Sequence, residues 1–220
     1  MTFYEFSAKF YLLSPIAAFI GLALGLFYYK RLDNLNKALV GYLGIMLFTD
    51  LASRIVGYLY GNNFIMLHIY SLLELIFFVY FYNRFLLIKH HKLFIILGAL
   101  GVLYIVGEIL VLYIFNDINE LEFQPYAKVA DNFVIIVMAL AFFLQRINAF
   151  AETGWQYFKL NTAVLCFFTL TAIVFLPFNF LVNDPTGLKF YLWFVNAIAI
   201  ICFEVYITLL ILKNGVASKK

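Results

Sequence analysis

Residues 92–115 read KLFIILGALGVLYIVGEILVLYIF. Past its opening lysine this run holds one charged side chain, Glu108. A helix rising about 1.5 Å per residue covers, over this length, the roughly 30 Å hydrocarbon core of a bilayer. Two questions follow. The first is whether the rest of the chain repeats the pattern. The second is what an acid is doing in the middle of it.

Six further apolar runs answer the first question, at about 8–29, 37–60, 63–88, 125–147, 158–182 and 187–212. Between the seven runs stand polar or turn-forming separators: YKRLDNLNK, GNN, NRFLLIKHHK, FNDINELEFQ, QRINAFAETGWQYFK and NDPTG. The expected fold is all-α: a polytopic transmembrane bundle of seven helices in one domain spanning 1–220. The GNN link is short enough to require an antiparallel hairpin between spans two and three. Pro125 opens span five, where a missing N–H costs nothing. Pro177 falls inside span six and should kink it.

Composition agrees. The 220 residues are 65% hydrophobic and 12% charged, and mean hydropathy is +0.96. Water-soluble domains run at roughly 45–50% apolar and about 25% charged. Seven spans occupy nearly the whole chain, leaving no room for a soluble catalytic or nucleic-acid-binding domain. The net charge of +3 comes from short loops and reads as a topology signal.

Lys and Arg set the orientation. Taking connections alternately, one side collects Lys30, Arg31, Lys37, Arg84, Lys89, Lys92, Arg146, Lys159, Lys213, Lys219 and Lys220. The other has Lys9 and Lys189, with Asp117, Glu120, Glu122 and Asp184. This predicts an external N-terminus and a cytoplasmic C-terminus. The opening MTFYEFSAKF lacks the basic region of a cleavable signal, so the first run reads as a retained span. Cys166 and Cys202 lie in apolar runs and read as buried free thiols. Gly21 and Gly25 form a GxxxG on span one, read as a close-packing device.

The acid in 92–115 has company. Asp50 and Arg54 lie on span two, His68 and Glu74 on span three, Lys128 and Asp131 on span five, and Glu204 on span seven. Asn132, Asn161, Asn179 and Asn196 add neutral polar groups. An ionised side chain at mid-bilayer costs about 2.5–3.5 kcal/mol even on the lenient insertion scale. These groups must therefore face the bundle interior, one another, or water.

Counted from the outer end of each span, Arg54, Asp50, His68, Glu74, Glu108, Asp131 and Asn196 lie about 5–11 residues in, or roughly 8–17 Å deep. Glu204, about 17 residues in, belongs to the inner part. Asp50 and Arg54 are four apart and Lys128 and Asp131 three apart, so each pair shares a helix face. His68, Ser71 and Glu74 fall within an arc of about 120°. Glu74 and Glu108 have no cation on their own helix, so each needs a partner elsewhere or a proton.

The expected site is a polar pocket in the outer half of the bundle. Asp50, Arg54, Glu74, Glu108 and Asp131 line it, with His68 and Asn196 at its edges. Asn161 and Glu204 form an inner relay. The leading expectation is binding or transport of a small ligand or ion. The alternatives are a receptor-like sensor signalling through a partner, and an intramembrane enzyme acting on a lipid.

Seven spans with an external N-terminus match rhodopsins in topology alone. Span seven carries lysines only at its ends, Lys189 and Lys213, so no Schiff base to retinal is expected. Three histidines, two of them His90 and His91 in one loop, are too few for a zinc hydrolase. No cofactor or metal is predicted. The expected partners are the lipid bilayer and a small ligand or ion; the aromatic loop 145–159 reads first as an anchor in the cytoplasmic interface and second as a contact for a cytoplasmic protein. That loop carries Phe150, Trp155, Tyr157 and Phe158, an interfacial composition.

Overall fold

A computed structural model of the chain describes residues 3–88, 92–115, 123–148, 157–183 and 187–217. Regular structure among these residues is helical: α1 (Phe3–Tyr11), α2 (Leu13–Tyr28), α3 (Asn34–Tyr60), α4 (Phe64–Phe81), α5 (Lys92–Leu110), α6 (Tyr126–Asn148), α7 (Phe158–Phe175), α8 (Phe178–Asn183) and α9 (Leu188–Ala217). Short turns of tighter or wider pitch extend α2, α4 and α5. Seven helical stretches are long and apolar enough to cross a membrane: Glu5–Arg31, Asn34–Tyr60, Phe64–Leu86, Lys92–Phe115, Tyr126–Ile147, Phe158–Phe175 and Leu188–Ala217.

The distribution of exposure is inverted relative to a water-soluble protein. Phe27, Tyr58, Phe115 and Phe180 stand out on the surface, each at least three-quarters exposed, whereas His68, Glu74, Asp131 and Asn132 are wholly buried. Such a surface is stable only against apolar surroundings. It suggests a multi-pass membrane protein. Cys166 and Cys202 are a correction to the sequence reading: both are free and exposed, on faces of the same apolar character. Helices hydrophobic on every side give no periodic signal for which face turns inward.

The chain divides into two compact units, residues 1–66 with 184–220 and residues 67–183. In the first unit α2 packs on α3 and α9, and α1 and α3 also meet α9. The close approach uses small residues. A Cβ added at Gly21 would run into Leu43 and Thr208, and one at Gly25 into Val40, while one at Gly215 would fall 2.7 Å from Tyr28. Asp33 caps α3 by accepting from the Asn36 N–H at 2.7 Å, the usual remedy for an orphan donor. Asn214 near the end of α9 completes the corner, donating to Asp33 Oδ2 and accepting from the Asp33 N–H, both at 3.1 Å. Gly61 ends α3 in the left-handed region at φ +79°, its N–H on the Gly57 carbonyl, a conformation glycine adopts without strain.

In the second unit α6 packs on α5 and α7. Gly98 and Gly101 of α5 sit against Val79 and Leu75 of α4. Phe78, Phe81, Tyr82, Phe142 and Phe168 fill the interior and are almost fully buried. Span six, expected over 158–182, is two helices, with the break at Leu176 and Pro177. Proline carries no N–H, so the ladder is interrupted there. Gln124, just before α6, fills the gap: its Nε2 donates to the carbonyls of Phe175 at 2.9 Å and Leu176 at 3.2 Å.

Candidate functional site

The second unit holds the densest set of buried ionisable groups. α4 presents His68, Ser71 and Glu74 at three-residue intervals, and all three are wholly buried. Three residues advance a helix by about 4.5 Å and turn it nearly one full turn, so the three line one stripe. α6 brings Lys128 and Asp131, also three apart, to the lower end of that stripe. The Lys128 ammonium donates to Glu74 Oε2 and to Asp131 Oδ2, the latter at 3.0 Å. Lys128 is 2% exposed and both carboxylates 0%. Burial this complete keeps the ammonium inside the unit, although a lysine stem is long enough to carry its charge towards a membrane surface.

Aromatic groups complete the surroundings. The Tyr70 hydroxyl donates to Glu74 Oε1 at 2.7 Å. The Tyr70 ring centre lies 4.7 Å from Lys128 Nζ and the Phe168 ring 5.7 Å away, distances at which the ring faces attract a cation. Two polar elements stay unmatched among the described residues. Asp131 Oδ1 has no hydrogen-bond partner, and neither amide atom of the adjoining Asn132 has one.

At the upper end of the stripe, His68 Nε2 lies 3.2 Å from Glu108 Oε1 of α5. The Tyr113 hydroxyl is 3.4 Å from the other ring nitrogen, Nδ1. Phe123 packs on the imidazole, ring centres 5.7 Å apart. Glu108 keeps one buried oxygen, Oε2, without a partner among the described residues. The two acids lacking a cation on their own helix each meet a basic side chain across a helix contact, Lys128 for Glu74 and His68 for Glu108.

In the first unit, Arg54 Nε donates to Asp50 Oδ2 at 2.8 Å, and Nη2 reaches Oδ1 at 3.4 Å. The guanidinium lies over the Tyr11 ring at 5.4 Å. Glu204 accepts from the Ser14 hydroxyl at 3.1 Å. Asn196 is buried in α9, its Oδ1 without a partner among the described residues. The expected site residues are therefore divided: His68, Glu74, Glu108 and Asp131 belong to the second unit, and Asp50, Arg54 and Asn196 to the first. Of the two relay residues, Glu204 is in the first unit. Asn161 is in the second and is fully engaged, accepting from the Tyr82 hydroxyl at 2.7 Å and donating to the Ala139 carbonyl at 3.0 Å.

Sequence reasoning placed Lys128 beside Asp131 but left it out of the site it anchors. Tyr70, four residues before Glu74, was legible from spacing alone. Tyr113, Asn132 and Ser14 carried no such signal. Of the aromatic loop, residues 149–156 lie outside the described residues, as do His90 and His91, the acids of 116–122, and the Asn179 side chain. At its near end, Gln145 Oε1 accepts from the Ile88 N–H at 2.9 Å, and the Arg146 guanidinium lies over the Phe142 ring. Among the described residues no group of three or more His, Cys, Asp and Glu side chains is arranged to hold a metal ion.

No protein-family model matches the chain, and neither curated proteins nor solved structures give a match. The functional reading therefore rests on the chemistry of the buried groups.

Proposed function

We propose that the chain is an integral multi-pass membrane protein whose second unit binds a proton or a small monovalent cation and transports it across the bilayer. The observation that carries this reading is the charge balance around Lys128. One buried ammonium meets two buried carboxylates, and Asp131 Oδ1 still lacks a donor. Fully ionised, the trio bears one surplus negative charge in surroundings where an uncompensated charge is costly. A proton on Asp131, or a small cation against Oδ1, removes the surplus. Because Lys128 already satisfies part of the negative charge, the incoming ion is held without being trapped.

The pair above it supports the same reading. His68 Nε2 and Glu108 Oε1, 3.2 Å apart, are close enough to share a proton. A proton passed between the imidazole nitrogen and the carboxylate oxygen leaves the pair's net charge unchanged, so the pair can relay a proton without building charge. His68 and Glu74 are six residues apart on one stripe, about 9 Å along the helix axis. The excess of Lys and Arg on alternate connections supports an external N-terminus and a cytoplasmic C-terminus. That orientation puts both clusters in the outer half, reached first from outside.

The test is ion flux in liposomes reconstituted with the full chain and loaded with a pH-sensitive dye, under an imposed membrane potential or cation gradient. Wild-type protein should move protons or exchange them for a monovalent cation, and Glu74→Gln and Asp131→Asn should abolish the signal while remaining folded. Flux unchanged in both variants, or none from wild type under either gradient, would sink the reading.

A further inference from the structure

Glu204 lies in α9 with 1% of its surface exposed. Its Oε1 accepts one hydrogen bond, from Ser14 of α2 at 3.1 Å. Its Oε2 is buried with no hydrogen-bond partner among the described residues, and among them Glu204 forms no ion pair.

α9 packs against α1, α2 and α3. The groups those helices bring towards Glu204 are Tyr11 from α1, Ser14 from α2, and Asp50 and Arg54 from α3, all within electrostatic reach of Tyr11 or Glu204. Arg54 is the cation of this set, and Asp50 holds its guanidinium through two nitrogens. Its charge is matched before Glu204 is considered. On α9 itself, Tyr206 is two residues on, about 200° round the helix and so on another side. Asn196 is two turns earlier and neutral. With Asp50 and Arg54 cancelling, an ionised Glu204 would be the one unmatched charge of the cluster. Burial without a counter-ion favours the neutral acid.

We propose that Glu204 and Ser14 form a proton-binding site in the first unit, separate from the Glu74–Lys128–Asp131 network, in which Glu204 is a carboxylic acid. The Ser14 bond fixes which oxygen carries the proton. Oε1, the acceptor, is the carbonyl; Oε2 is the hydroxyl, and its O–H is free to donate to an incoming acceptor or to give up its proton. Among the described residues, the cluster of Asp50, Arg54 and Glu204 has one carboxyl more than its cation can neutralise.

Infrared spectroscopy of the reconstituted full chain at neutral pH reads this directly, because a protonated carboxyl has a C=O stretch well separated from carboxylate and amide bands. Wild type should show a component that Glu204→Gln lacks. Ser14→Ala should move that component to higher frequency by removing the hydrogen bond to the carbonyl. If Glu204→Gln does not fold, the Ser14→Ala shift decides alone. Wild-type and Ser14→Ala spectra that superimpose in this region overturn the proposal, as does a folded Glu204→Gln that keeps every component. Asp131→Asn should retain the component whatever it does to flux, so this site and the transport reading can fail separately.

Discussion

Lys128 gives the sharpest quantitative test, because one ammonium pairs with two acids. Lys128→Met keeps the stem's length and apolar volume while deleting the ammonium. It leaves Glu74 and Asp131 facing each other across the vacated position without the ammonium that donates to both, while the Tyr70 hydroxyl still donates to Glu74. Removing one partner of a buried ion pair costs about 3–5 kcal/mol. The lost attraction to the Tyr70 and Phe168 rings adds about 0.5–2 kcal/mol, offset in part by methionine's own affinity for aromatic edges. Glu74→Gln and Asp131→Asn should behave very differently. Each removes the surplus negative charge, leaves Lys128 one carboxylate, and keeps an amide oxygen as acceptor, so each should cost about 1 kcal/mol at most.

The triple variant Lys128→Met, Glu74→Gln, Asp131→Asn has no buried charge at this position. It should recover most of the loss, since neutral replacements of a buried ion set are often tolerated. The assay is unfolding by a denaturing detergent titrated into mixed micelles, followed by intrinsic fluorescence, with the four variants treated as a mutant cycle. The decisive outcome is the order of stabilities. If Lys128→Met unfolds at the same detergent fraction as Glu74→Gln, Lys128 is not the shared counter-ion of the two acids and the charge count is wrong.

Two packing features yield further expectations. Gly98→Ala puts a Cβ within 2.6 Å of a Val79 methyl, an overpacking that should cost about 1–3 kcal/mol in the same unfolding assay; adding Val79→Ala should restore most of it. Gln124→Leu strips the donor from the Phe175 and Leu176 carbonyls at the proline break. It should destabilise by about 1–3 kcal/mol, and amide hydrogen exchange should rise first around residues 175–181.

The seven helices were legible because a bilayer imposes a length, and an apolar run either reaches it or does not. Contacts within a helix were legible too: Arg54 finds Asp50 and Lys128 finds Asp131 by i, i+4 and i, i+3 spacing. Contacts between helices were not. Nothing local in the sequence says that Glu74 meets Lys128, that Glu108 meets His68, or that Ser14 meets Glu204 across almost the whole chain. Those meetings are decided by which face each helix turns inward, and helices apolar all round give no moment from which to read it. The same blindness misplaced Cys166 and Cys202. Depth, by contrast, is additive along a helix and needs no knowledge of facing, so a layer of polar groups could be expected from the sequence while the partition of those groups between two units could not.

The make-up of the two units also bears on how the chain is built. Residues 67–183 are contiguous, so the second unit has all its parts, including both carboxylates and Lys128, once α8 has been synthesised. The first unit begins earlier and ends later. Its opening helices wait for α9, which follows the whole second unit in the chain and supplies Glu204 to Ser14 and Asn214 to Asp33. Translation runs from the N-terminus and compact units tend to form as they become complete. Here that order places the middle of the chain ahead of its beginning. Until α9 arrives, the face of α2 at Gly21 lacks Thr208 and remains partly open, a vacancy that insertion factors or early proteolysis would encounter.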